Sequence, residues 1–187
     1  MNKQIPMKPS QIDKSKIIYR KKNVSNNKTV INIKYNDNGI IKPLVFQTCT
    51  LFNKLKPKKF NNYWEFNIPL CGKVDKKVNS LKNFLNEIDK KVLNDAKINR
   101  DDWFNNIEKI KFRELINKSD TDDKVWKNGS ISFKIPTTSN SVFQTIILRN
   151  NKHKMSVEDI EDDNMIKMVL EIYAVIIRDD YFYVYIR

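Results

Sequence analysis

Apolar residues in this chain recur first with a period of two, then with a period near 3.6, then with a period of two again. Residues 30–35 alternate, with Ile31, Ile33 and Tyr35 on one face and Val30, Asn32 and Lys34 on the other. Asn36-Asp37-Asn38-Gly39 follows as a turn signal, because an Asn-Gly pair accepts the positive φ that a tight hairpin needs. Residues 40–51 then resume an apolar run. A further strand over 63–70 sets Trp64, Phe66 and Ile68 against Tyr63, Glu65 and Asn67.

The period changes next. Val78, Leu81, Leu85, Ile88 and Val92 recur at three- and four-residue steps, with Phe84 and Leu93 widening the stripe. That spacing predicts an amphipathic helix over about 75–96. A second helix is expected over 101–117, with Asp101 and Asp102 suited to its first turn and Trp103, Phe104, Ile107, Ile110 and Leu115 on its apolar side. Beyond Thr121 alternation returns. Strands are expected over 130–135, 142–149, 165–178 and 181–186, with a turn at Lys127-Asn128-Gly129 and an acidic loop over 158–163.

Residues 1–28 have weak periodicity and read as a basic, partly flexible arm ending in a strand near residues 17–19. Residues 29–187 then read as one domain with a helical insertion at about 75–117. The fold class expected is α+β and β-rich, an OB-like Greek-key barrel with helices inserted between strands. A sandwich accommodates the same order of elements.

Charge changes the picture. The chain of 187 residues has a formal net charge of +13. Residues 1–60 hold 14 Lys/Arg against two acids, Asp13 and Asp37, whereas the rest is nearly balanced. An AT-rich codon bias accounts for abundant lysine but not for the scarcity of acids, so a polyanionic partner is expected. The N-terminal MNKQIPMKPS lacks an apolar signal region, and no run approaches a membrane span. The expectation is an intracellular chain without a membrane partner, in which Cys49 and Cys71 are reduced, buried thiols.

Catalytic motifs are scarce. His153 is the sole histidine and sits in a polar stretch with Lys152 and Lys154, so no zinc site or general base is expected. The three glycines, Gly39, Gly72 and Gly129, form no phosphate loop. Acid clusters at Asp120, Asp122 and Asp123, and at Glu158, Asp159, Glu161, Asp162 and Asp163, read as solvated turns. No cofactor, metal or enzymatic activity is expected.

Basic residues interleaved with aromatics point to a single-stranded nucleic acid, which is held by cations on phosphates and rings on bases. Phosphate contacts are expected from Arg20, Lys21, Lys22, Lys34, Lys54, Lys56, Lys58, Lys59 and Lys134, and base stacking from Phe60, Tyr63, Tyr181, Tyr183 and Tyr185. Tyr181, Tyr183 and Tyr185 share one strand face, where they either stack on bases or cover a packed sheet. Trp64, Phe66, Trp103 and Phe104 are assigned to the core.

Four strings in order, Phe46-Gln47-Thr48-Cys49, Tyr63-Trp64-Glu65-Phe66-Asn67-Ile68-Pro69-Leu70, Phe84-Leu85-Asn86-Glu87-Ile88-Asp89-Lys90 and Asn99-Arg100-Asp101-Asp102-Trp103-Phe104, carry a resemblance. Over about 44–135 the chain resembles the single-stranded DNA-binding proteins of nucleocytoplasmic large DNA viruses, the poxvirus and African swine fever virus type. The resemblance implies an OB-like core binding single strands without sequence preference in viral DNA replication, recombination and repair, in host cytoplasm and beside replication proteins. That family's acidic C-terminal tail has no counterpart in Tyr185-Ile186-Arg187. Three functions stay open: single-stranded DNA or RNA binding, packaging of duplex DNA as a basic structural protein, and a metal-dependent nuclease.

Overall fold

The computed structural model describes residues 5–25, 27–105, 109–136, 146–149 and 153–187. In chain order the first strands are β1 (Ile17–Tyr19), β2 (Asn23–Ser25), β3 (Lys28–Asp37), β4 (Ile40–Lys42), β5 (Leu44–Gln47), β6 (Leu51–Phe52), β7 (Lys58–Lys59) and β8 (Tyr63–Pro69). Helices α1 (Asp75–Ile98) and α2 (Arg100–Phe104) follow. Then come β9 (Lys111–Arg113), β10 (Ile116–Asn117), β11 (Ser130–Pro136), β12 (Leu148–Arg149) and β13 (His153–Lys154). The chain closes with β14 (Met165–Ile166), β15 (Val169–Arg178) and β16 (Tyr181–Ile186). The fold is α+β and β-rich, with one long helix. No helix among the described residues is long and apolar enough to cross a membrane.

Contacts group the chain into two compact units. The first combines Met1–Thr48, Asn79–Leu115 and Met168–Arg187. Its eight-stranded sheet runs in the order β1-β3-β15-β16-β9, with β2 and β4 also on β3 and β5 on β15. That path is open: β1 and β9 are not paired with each other. Alternation along β3 buries Ile31, Ile33 and Tyr35 on one face; Val175, Ile177, Phe182, Val184 and Ile186 join them from β15 and β16. Aromatic pairs tie the helices to this face, Phe84 of α1 at 5.1 Å from Phe46 and Phe104 of α2 at 5.1 Å from Phe182. Each such fully buried side chain is worth about 1.5–3 kcal/mol relative to exposure. The hairpin at Asn38-Gly39 is as expected: both residues have positive φ, and Gly39 N donates to Asn36 Oδ1 at 2.8 Å.

The second unit combines Cys49–Val78 and Ile116–Lys167. Its four-stranded sheet has the order β10-β11-β8-β7, and its central pair sets Trp64 opposite Ile135, Phe66 opposite Phe133 and Ile68 opposite Ile131. These six side chains are buried, as the alternation predicted for Trp64, Phe66 and Ile68. Gly129 turns the chain into β11 at φ +80, where a Cβ would meet Asn117 O at 2.6 Å. Two short ribbons, β14 with β6 and β12 with β13, complete the unit.

Three expectations need correction. The second helix ends at Phe104 rather than near 117, because Asn105 adopts a left-handed conformation (φ 44) and β9 pairs in parallel with β16. Packing of Phe112 on Phe182 at 4.9 Å rewards a strand there, overriding the helical spacing of the apolar residues. The run 40–51 is cut into β4, β5 and β6, and Pro43, which lacks an amide to donate to a ladder, separates β4 from β5. Cys49 and Cys71 are free but only half-buried. The arm supplies β1 and β2 to the first sheet, and Met7 bridges Phe46. Of the strand expected over 142–149, residues 142–145 lie outside the described residues, while Leu148–Arg149 are β12.

Candidate nucleic-acid interface

On the face of the first sheet opposite the helices, strand registers set side chains in rows. Arg178 pairs with Tyr181, and Tyr181 with Lys111. Lys28 falls one residue past the Thr29–Ile177 pair, beside Arg178. The next row is Val30, Ile176, Tyr183 and Arg113, and the third is Asn32, Ala174 and Tyr185. A bulge between Ile172 and Ala174 frees Tyr173 to meet Tyr185 edge-on, with ring centroids 6.3 Å apart. The result is a line of four tyrosines, all half-buried, with Tyr181 and Tyr183 stacked at 5.9 Å.

Guanidinium groups cover both ends of that line. Arg113 Cζ lies 3.3 Å from the Tyr181 ring centroid, and Arg187 Cζ lies 3.7 Å from that of Tyr173. Both arginines are exposed. Glu171 holds Arg187 at 2.8 Å and Lys34 at 3.9 Å, so the Tyr173 end is partly neutralised. At the Tyr181 end the cations Lys28, Arg178, Lys111 and Arg113 outnumber the acids of the adjoining turn, Asp179 and Asp180.

The second unit carries a smaller aromatic and basic cluster on the outward face of its own sheet. Phe60 and Tyr63 stack at 4.8 Å with planes 16° apart, and Lys134 Nζ stands 4.1 Å over the Tyr63 ring. Phe60 is 42% exposed, an unusual position for a large apolar ring. In the strand register Lys58 and Lys134 both stand opposite Glu65, on either side of it.

The expected phosphate contacts separate into free and engaged groups. Arg20, Lys21, Lys56 and Lys58 are exposed. Lys22 instead clamps α2, donating to the Asp102 carbonyl and, at 2.8 Å, to Asn105 Oδ1. Lys54 is ion-paired with Asp163, and that hydrogen bond raises its pKa. Lys59 reaches Glu158 at 3.3 Å and lies 5.3 Å over the Trp64 ring. The acidic loop is fixed beside the basic segment by buried Asn53, whose Nδ2 donates to Glu161 O at 2.8 Å and whose backbone pairs with Asp163 and Asn164.

Sequence reasoning missed Lys28, Lys111, Arg113, Tyr173, Arg178 and Arg187. Arg187 was legible, because it continues the two-residue period of Tyr181, Tyr183 and Tyr185. Lys28 and Arg178 likewise lie on the periods of Val30 and Ile176. Lys111 and Arg113 were hidden by the helix expected across them, and Tyr173 needs a bulge that no local signal announces. His153 is exposed in β13. Among the described residues no three His, Cys, Asp or Glu side chains converge to hold a metal ion. No protein-family model matches the chain, and no curated protein matches it.

Proposed function

We propose that this protein binds single-stranded nucleic acid, DNA in first place, without sequence preference and without catalysis of its own. The observation that carries the reading is the tyrosine line on the first sheet with Arg113 lying flat on Tyr181. Bases stack on rings whatever their sequence, and a stacked guanidinium keeps its edge N–H donors free for phosphate. Base–aromatic stacking contributes about 1–3 kcal/mol per base, so three or four rings suffice for a useful affinity. The mode is that of an OB-like Greek-key fold, in which a curved sheet presents one face to the strand. Phe60, Tyr63 and Lys134 would act as a second stacking point. In this reading Lys56 and Lys58, with Arg20 and Lys21, draw in the polyanion, and a role in viral DNA replication alongside replication proteins is part of the same proposal.

Fluorescence-anisotropy titration of a labelled dT oligonucleotide tests the proposal, with duplex DNA and RNA as competitors at two salt concentrations. Tight binding that duplex competes for poorly, and that a Tyr181→Ala/Tyr183→Ala variant loses, is the expected result. Equal affinity for duplex and single strand would turn the reading toward packaging of duplex DNA.

A further inference from the structure

Arg178, the register partner of Tyr181, also lines an open cleft of about 410 Å³ together with Ser25, Asn27 and Lys28. Lys28 and Arg178 are exposed, and neither side chain makes a hydrogen bond or ion pair with a described residue. Residues bearing two cations, a hydroxyl and an amide thus line one open cleft, and among the described residues the one side-chain bond they make is a long 3.4 Å contact from Ser25 Oγ to the Lys28 carbonyl. A tetrahedral oxyanion is the ligand this set recognises, since the arginine fork and the ammonium both donate to phosphate oxygens.

We infer that this cleft is a phosphate subsite and that it seats the terminal phosphate of a strand lying along the tyrosines. The inference rests on the single-strand reading of that face. Two features select a terminus over an internal linkage. A terminal monoester carries about −1.5 to −2 charge near neutral pH against about −1 for a diester, and two unpaired cations favour the higher charge. The chain beyond Arg178 turns through Asp179 and Asp180, both exposed. A strand running on past the cleft would bring its diesters against those carboxylates, whereas a strand that ends there avoids them.

The test uses the whole chain and three dT oligonucleotides labelled on an internal base: one with a 5′ phosphate, one with a 3′ phosphate and one with neither. One of the two phosphorylated strands should bind about tenfold tighter than the bare strand, the effect of one additional charge-assisted contact. Inorganic phosphate at constant ionic strength should narrow that gap. In Arg178→Ala, and separately in Lys28→Ala, all three oligonucleotides should bind equally. Equal affinities in the unaltered protein would overturn the subsite and leave the proposed function standing. A gap that survives both substitutions would overturn its location. Failure to bind any of the three would overturn both readings.

Discussion

The guanidinium carbon of Arg113 lies 3.3 Å from the centroid of the Tyr181 ring, although the two residues are 68 positions apart in sequence and sit on strands that pair in parallel. Planar stacking at that distance is a property of arginine and not of lysine, whose ammonium is a compact, strongly hydrated point charge. Arg113→Lys is therefore expected to weaken dT binding about fivefold while conserving charge. Arg113→Ala should weaken it further and lower the dependence on log salt by about one, read from anisotropy titrations across a salt series.

The tyrosines are expected to act through their rings. Tyr183→Phe should bind the oligonucleotide within about twofold of the unaltered protein, whereas Tyr183→Ala should lose about 1–3 kcal/mol of binding free energy. A phenylalanine variant as weak as the alanine one would assign the role to the hydroxyl and overturn stacking.

Asp89 is expected to give the protein a pH-dependent stability. The residue is 6% exposed on α1; burial pushes its pKa up to about 7, the Leu115 amide at 2.8 Å pulls it down, and Glu114 raises it. Below the ordinary value of 3.8 both folded and unfolded states hold the proton, and the group is silent. As pH rises from there to about 7 the unfolded chain ionises first, so stability falls, and above about 7 the loss is complete. Asp89→Asn keeps an acceptor for the Leu115 amide. It should raise stability above neutral pH by about 1–3 kcal/mol and flatten the urea-denaturation midpoint between pH 4 and 8.

The acidic loop restrains the basic segment. Glu158→Gln with Asp163→Asn releases Lys59 and Lys54, and should tighten oligonucleotide binding about two- to threefold at low salt. The gain should fade at high salt, because exposed charges are screened within about 10 Å at 0.1 M. Tighter binding that ignores salt would show that the loop acts by shape.

Gly129 tests the second sheet. At φ +80 with Asn117 O at 2.6 Å and Ile116 Cγ2 at 2.7 Å from a built Cβ, Gly129→Ala combines strain with overlap. A destabilisation of about 1–3 kcal/mol is expected in chemical denaturation. Gly39→Ala, with φ +92 but open space around the Cβ, should cost less.

Local patterning determined the elements whose period was long or whose turn chemistry was specific. The stripe from Val78 to Val92 could only be an amphipathic helix, Asn38-Gly39 could only be a tight hairpin, and Trp64, Phe66 and Ile68 had to share a buried face. The Tyr181–Tyr183–Tyr185 alternation likewise exposed three of the four rings of the tyrosine line, though charge segregation exposed none of the cations at its Tyr181 end. The rest depended on pairings between distant segments. The helix expected over 101–117 gave way to a strand because Phe112 finds Phe182, a partner that no local window contains. Lys54 and Lys59 looked free until the chain returned a hundred residues later with Glu158 and Asp163. The partition into two units, the bulge at Tyr173 and the seat of Arg113 on Tyr181 were decided in the same way: side-chain period says which face a residue occupies, but only the register of long-range strands says which residues share it.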